Sequence, residues 1–350
     1  MAVVAYKCPG CGAGIAFDSE KQIFRCEYCL SEFTEAEIAA QSADAETKGE
    51  GAAADADDTF GEEVLFYSCT NCGAEVFADK DTVADFCYYC HNPVVASGRL
   101  TGQLRPHKII PFAYDKAAAE KKFLEFAGKK WFVPKDFFAE KQVEKIRGVY
   151  YPFWLTDADI TAGSSANAEK VRTWRAGKNM YTETSHYRLY RKGNIHFEDL
   201  TTGAYDKEDK SMLEGILPYP SDALKDFSMT YLSGFLAKKR NVEKEEVFDE
   251  VKNRISNYST TLLNDTMRGY TAVHPQGTHV EMQKVNWDYA LLPIWILTYN
   301  KGGKIYTYAM NGHTGKVYGE LPISGKKLAL LFAAVTLGVT LLGTIGGLLL

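Results

Sequence analysis

No cysteine in this chain stands alone. All eight lie in four Cys-x-x-Cys pairs, which leaves no thiol over for nucleophilic catalysis. The seven histidines are scattered, and none begins a His-Glu-x-x-His. G-x-S-x-G and G-x-G-x-x-G are also missing. The nearest approach to a phosphate loop, Gly312-His313-Thr314-Gly315-Lys316-Val317, has the wrong spacing and ends in valine. These absences remove the common hydrolase, zinc-protease and nucleotide-dependent classes, so the chain is expected not to be an enzyme. A basic excess is missing too. Forty Lys and Arg stand against 45 Asp and Glu, a net charge of −5 that draws neither nucleic acid nor anionic lipid broadly. No secretory leader follows Met1, so disulfides are not expected.

What is present is a repeated cysteine pattern. Cys8, Cys11, Cys26 and Cys29 form one set, and Cys69, Cys72, Cys87 and Cys90 the other. Tyr6 matches Tyr67, and Gly12-Ala13 matches Gly73-Ala74. A tetrahedral ion with Zn–S bonds of about 2.3 Å needs two thiolates from each of two tight turns, and a two-residue gap supplies each pair. The residues between the pairs suffice for one hairpin. Gly12 and Gly73 can take the positive φ that turns backbone N–H groups back toward sulfur. The expectation is two four-cysteine zinc ribbons holding two structural Zn²⁺, with iron in a rubredoxin-like knuckle as the alternative. Four thiolates close the coordination sphere, so the metal is structural. His91 beside Cys90 reads as a loop residue.

The far end is a long apolar run. Leu328 to Leu350 carries no charge and, as a helix, spans about 35 Å against a hydrocarbon core of about 30 Å. Lys326-Lys327 precede it, which by the positive-inside tendency puts the bulk of the chain in the cytoplasm. The expectation is a single-pass, tail-anchored protein of the cell membrane. Gly343 and Gly347 form a G-x-x-x-G that leaves self-association open.

Between these ends the fold class reads as α+β with antiparallel strands. The expected organisation is a first ribbon over 1–40, an acidic flexible linker over 41–61 and a second ribbon over 62–98. An α+β body over 99–322 and a transmembrane helix over 326–350 complete it. Thr34 caps a short helix through Ala40, and helices are expected over Lys116–Gly128 and Pro134–Lys145. Another starts at Ser221 with Leu224, Phe227, Tyr231, Leu232 and Phe235 on one face; a longer one carries Val247, Val251, Ile255, Tyr258 and Leu262. Val149–Ile160 reads as a strand, Tyr181–Tyr190 and Asn194–Leu200 as a hairpin turning at Arg191-Lys192-Gly193. Strands are also expected over His279–Val285, Ala290–Tyr299 and Lys304–Met310, turning at Lys301-Gly302-Gly303. Tyr151-Pro152-Phe153-Trp154 and Leu292-Pro293-Ile294-Trp295 share Pro-x-Trp, so a duplicated body stays open beside chance.

The ribbons themselves argue against nucleic acid. The first carries Lys7, Lys21 and Arg25 against Asp18, Glu20, Glu27 and Glu32, and the second has Lys80 against four carboxylates. Each tetrathiolate zinc adds about two negative charges. A phosphate backbone would be repelled.

With both cysteine sets, Ile109-Ile110-Pro111-Phe112, Gly148-Val149-Tyr150-Tyr151-Pro152-Phe153-Trp154 and Asn311-Gly312-His313-Thr314-Gly315-Lys316, the chain resembles bacterial tail-anchored proteins with transcription-factor-B-type zinc ribbons. That resemblance implies a non-enzymatic membrane adaptor or anchor, associated with membrane-stress systems of flotillin-like (SPFH) or phage-shock-type proteins. It supplies no catalytic residues. The alternative function is a membrane-tethered nucleic-acid-binding or transcription regulator using Lys121 to Arg147.

Overall fold

The computed structural model describes residues 6–46, 64–68, 75–79, 81–86, 93–95, 104–134, 137, 143, 145–301 and 304–349. It is mixed α+β with antiparallel pairing predominant. The chain forms two compact units, neither of them one continuous stretch. Unit 1 comprises Met1–Tyr151, Lys207–Lys239 and Leu291–Leu350; unit 2 comprises Pro152–Asp206 and Arg240–Ala290.

Unit 1 opens with a three-stranded sheet: β1 (Ile15–Asp18), β2 (Ile23–Cys26) and β3 (Glu32–Phe33), followed by α1 (Glu35–Glu46). The expected cap forms, with Thr34 N donating to Glu37 Oε2 at 2.7 Å and Glu37 N to Thr34 Oγ1 at 3.4 Å. Next come β4 (Val64–Ser68), β5 (Glu75–Asp79), β6 (Thr82–Phe86), β7 (Pro93–Val95) and β8 (Lys108–Ile109). Helix α2 (Lys116–Gly128) is capped by Asp115, whose side chain accepts from Ala118 N at 2.7 Å. Two thirty-residue strands, β9 (Arg147–Ala176) and β13 (Ala272–Lys301), each run on into unit 2. Unit 1 also holds α3 (Lys210–Gly215), β11 (Lys225–Asp226), β12 (Leu236–Lys238), β14 (Lys304–Asn311), β15 (Val317–Gly319) and α5 (Gly325–Leu349). The large sheet runs β11-β8-β13-β9-β12-β6-β7, with β14 beside β13 and β15 beside β14.

The core of unit 1 is aromatic. Phe112 stacks on Phe235 with centroids 4.1 Å apart, and Tyr150 and Trp295 meet Phe112 edge-on at 5.0 and 5.2 Å. Two glycines make room for this cluster. A Cβ on Gly148 would lie 2.7 Å from the Phe235 ring, and one on Gly312 would lie 2.6 Å from the Phe112 ring.

Unit 2 places α4 (Lys244–Asp265) against β9 and β10 (Asn179–Gly203). Ala158, Ile160 and Ala162 alternate along β9 and pack with Val251, Ile255 and Leu263 of α4. Small residues at alternate strand positions let the helix lie close. Arg240, 6 % exposed, lies between Trp154 and Tyr289 with its guanidinium carbon 4.9 and 5.6 Å from the ring centres, and pairs with Glu243. Beyond Ala168, β9 and β10 continue as a hairpin arm exposed on both faces.

Several expectations are corrected. The turn at Arg191-Lys192-Gly193 is not formed, because Gly193 pairs with Ala162 inside a continuous β10. The chain reverses at Gly177, which has φ 60°. No helix starts at Ser221; short 3-10 turns at Ser221–Ala223 and Met229–Leu232 alternate with β11 and β12. Phe227, Tyr231, Leu232 and Phe235 are buried as expected. Ser228 caps Thr230 N, however, and Gly234 sits at φ 92°, so the backbone cannot stay helical. In α4 the buried face is Val247, Val251, Ile255, Ser259 and Leu263, whereas Tyr258 and Leu262 are exposed. The three strands expected around Ala290 are β13 and β14, with Lys301 paired to Lys304. The linker expected over 41–61 begins as helix, because α1 runs on to Glu46 instead of ending at Ala40; its remainder, like most of the helix expected over Pro134–Lys145, lies outside the described residues.

The two Pro-x-Trp segments occupy matching settings. In unit 2, Pro152 O accepts from Ala204 N at 3.0 Å, Ala204 O accepts from Asn241 N and Val242 N, and Trp154 Nε1 donates to Val242 O at 3.0 Å. In unit 1, Pro293 O accepts from Gly312 N at 2.8 Å, Gly312 O accepts from Ala113 N and Tyr114 N, and Trp295 Nε1 donates to Tyr114 O at 3.0 Å. Both acceptor loops lead into a helix, α4 after Glu243 and α2 after Asp115. One difference remains: α4 follows its hairpin in the chain, while α2 precedes its own.

Candidate metal centre

Two turns build the first site. Gly12 N donates to Cys8 O at 2.8 Å and Cys8 N to Ala13 O at 2.7 Å; Leu30 N donates to Cys26 O at 2.9 Å and Cys26 N to Ser31 O at 3.0 Å. The two Cys-x-x-Cys loops therefore share one backbone geometry. Each needs a left-handed residue just after its second cysteine, which is Gly12 at φ 76° in the first loop and Leu30 at φ 62° in the second. Sequence reasoning found the glycine and missed the leucine, because no residue type marked it.

The four sulfurs of Cys8, Cys11, Cys26 and Cys29 all lie within 4.8 Å of one another. Cys8 Sγ is 3.4 Å from Cys29 Sγ, and Cys11 Sγ is 3.5 Å from Cys26 Sγ. A tetrahedron with bonds of about 2.3 Å has edges of about 3.8 Å, so the cluster has the size an ion requires. Cys8 and Cys26 are buried, Cys11 and Cys29 exposed, and none of the four is in a disulfide. The Cys29 thiol is pulled down to about 6, first by the Ser31 hydroxyl 3.2 Å away, then by the Ser31 backbone N–H and by Cys8. The donor set is soft and closed, which suits a structural ion and leaves no open coordination position. It is the one such cluster among the described residues.

The site is fastened to the rest of unit 1. Phe17 N donates to Ser233 O at 3.2 Å, Ser233 Oγ to Ile15 O at 2.5 Å, and Gln22 Nε2 to Phe112 O at 2.7 Å. Tyr231 OH donates to Glu35 Oε2 at 2.6 Å, and its ring meets Phe17 at 5.2 Å. Burial, then Glu35, pushes that hydroxyl well above its ordinary pKa. Of the second cysteine segment, β6 is held as well, since it pairs with β12, while β4 and β5 form a two-stranded sheet of their own.

Cys69, Cys72, Cys87 and Cys90 lie outside the described residues. Strands beside them are described, and the pairs next to the turns stand in the first site's register, although β5 pairs with β4 and β6 with β7 and β12, where β1 pairs with β2. Arg25↔Glu32 and Phe24↔Phe33 bracket the second turn of the first segment, and Phe86↔Pro93 and Asp85↔Val94 stand at the corresponding places in the second. Lys7↔Gly14 likewise corresponds to Ser68↔Glu75.

Leu30 carries a testable cost. A side chain in the left-handed region costs about 1 kcal/mol, and Leu30 is 60 % exposed, so it recovers little by burial. Leu30→Gly is expected to raise the unfolding midpoint of the metal-loaded protein by the equivalent of about 1 kcal/mol in a urea titration. A fall of that size would show the leucine to be structural.

Helix α5 is the second notable feature. Over Gly325–Thr344 its mean hydropathy is 1.8 and none of it is buried within the protein. It is long and apolar enough to cross a membrane.

No protein-family model matches the chain, and no solved structure does. An uncharacterized protein of Bacillus subtilis (strain 168), YdjG, is 33 % identical to it over 346 residues, covering 97 % of this chain and 96 % of that protein.

Proposed function

The chain belongs to the family of the Bacillus subtilis protein YdjG, and from its own chemistry we propose that it is a non-enzymatic zinc-ribbon adaptor, anchored in a membrane by α5. The observation that carries this reading is a closed four-sulfur site whose outer loop is apolar and exposed. Tyr28 is 82 % and Leu30 60 % exposed, and both stand on a turn that metal would lock. A strained residue kept at an exposed place points to use rather than to packing. Locked loops also lose little entropy on binding. The ions are Zn²⁺, one held by Cys8, Cys11, Cys26 and Cys29, the other by Cys69, Cys72, Cys87 and Cys90. The repeated strand register around the second set supports that second site. Zinc supplies cross-linking, not reaction chemistry. The first ribbon and β6 of the second cysteine segment are bonded into unit 1, so in this reading the docking faces ride on the body. The body faces the cytoplasm, and two copies of one ancestral unit account for the matching Pro-x-Trp settings.

Partners are captured from solubilised membranes with wild type and with Tyr28→Ala, whose ligands are untouched. The variant is expected to keep two zinc ions and lose at least one partner, with flotillin-like or phage-shock-type proteins as the first to look for. Identical partner sets for the two proteins overturn the docking role.

One observation favours the second reading, a membrane-tethered nucleic-acid regulator. The arm carries Lys170, Arg172, Arg175 and Lys178, with Trp174 stacked on Tyr181 at 5.8 Å and Arg172 over the indole. Salt-dependent binding of single-stranded DNA or RNA that disappears in Arg172→Gln with Arg175→Gln supports it; no binding at low salt removes it.

A further inference from the structure

The loop after α2 and the first turn of α5 are joined by three hydrogen bonds, all inside unit 1. Ser324 N donates to Phe132 O at 2.8 Å, and Lys327 Nζ donates to Trp131 O and to Val133 O, each at 2.8 Å. A cation in the first turn of a helix faces the unfavourable end of the macrodipole, and two carbonyls offset that here. Three consecutive residues of the loop are thus tied to the foot of α5. The loop cannot withdraw from the level at which the apolar helix begins.

What this level presents is specific. Trp131 is 63 % exposed, with the Phe132 ring 5.4 Å away, and Ile323 is 64 % exposed. The charged residues flanking them in sequence are Lys129, Lys130, Lys326 and Lys327, and the carboxylate nearest Ile323 in sequence, Glu320, is paired with Lys304 at 3.1 Å. An indole exposed in water is poorly placed, whereas at the headgroup level its apolar body and polar N–H are both satisfied. Lysine stems can lie along such a surface with their ammonium groups among phosphates.

Resting on the reading of α5 as a membrane span, we propose that Trp131 and Ile323, framed by Lys129, Lys130 and Lys326, form a lipid-docking patch. It seats unit 1 on the headgroup layer of an anionic leaflet. Unit 1 thereby meets the membrane through its own surface as well as through the helix.

The full chain is reconstituted into phosphatidylcholine–phosphatidylglycerol vesicles whose acyl chains carry bromine close to the headgroups, and is then floated on a density gradient. In floated protein the brominated lipid is expected to quench a component of tryptophan emission. That component disappears in Trp131→Phe, persists in Trp174→Phe, and falls at least twofold in Lys129→Gln with Lys130→Gln. Equal quenching in wild type and Trp131→Phe overturns the patch and leaves the span standing, because the protein has floated. Unchanged quenching in the lysine variant overturns the anionic assignment. Failure of every form to float removes the span reading and the patch with it.

Discussion

Replacing Cys8 and Cys26 by serine is expected to lower the metal content of the purified protein by one ion per chain and to melt the first ribbon. The two sulfurs removed are the buried pair, 3 % and 0 % exposed. Around them the ribbon's own core is little more than Tyr6, Ile15, Phe17, Phe24 and Ile38, too few side chains to hold a fold alone. Structural zinc supplies about 10–16 kcal/mol in isolated fingers, as much as a whole domain's net stability of about 5–15 kcal/mol. The damage should spread, because Ser233, Phe112 and Tyr231 use the ribbon as partner. Each kcal/mol lost in unit 1 lowers its midpoint by about 2–4 °C. Elemental analysis with a thermal scan checks both parts. A double variant with unchanged metal content would show that the sulfur cluster holds no ion.

The second large effect concerns α5. Eight of its large apolar side chains, from Leu328 to Leu342, are more than half exposed. Covering each contributes about 1.5–3 kcal/mol, a total comparable with the stability of the entire body. Such a helix does not remain bare in water. Leu337→Arg with Leu341→Arg puts two charges near the middle of this apolar helix, which in a bilayer would cost about 2.5–3.5 kcal/mol each on the insertion scale. The variant is expected to move from the carbonate-resistant membrane pellet to the supernatant, while wild type stays in the pellet. Wild type released by carbonate would assign the helix to a protein interface instead.

The parts of this fold written in local chemistry were legible in the sequence. Cysteine spacing located the first site because two turns and four sulfurs involve short-range geometry only. The Thr34 cap, the apolar face of α4 through Ile255 and the unbroken run of α5 are equally local. Longer-range features were not legible. The bond from Ser233 to Ile15 spans 218 positions, and no pattern near either residue announces it. Burial of Tyr231, Leu232 and Phe235 looked helical in spacing, but those side chains reach their pocket from turns and short strands set by Ser228 and Gly234. Gly193 resembled a turn residue and is an interior strand position, because the neighbouring strand holds its register from Asn179 to Phe197. Leu30 shows the converse: a residue with the wrong intrinsic preference, held in place by the second turn.

The placement of α2 has a consequence for biosynthesis. In unit 2 only residues 204–243 separate the β9–β10 hairpin from α4 in the chain. Trp295 and Gly312, which complete the setting of α2, are translated roughly ten to thirty seconds after that helix at about 5–20 residues per second. For that interval the apolar face of α2, Ala119, Phe123 and Ala127, has no native cover from β14.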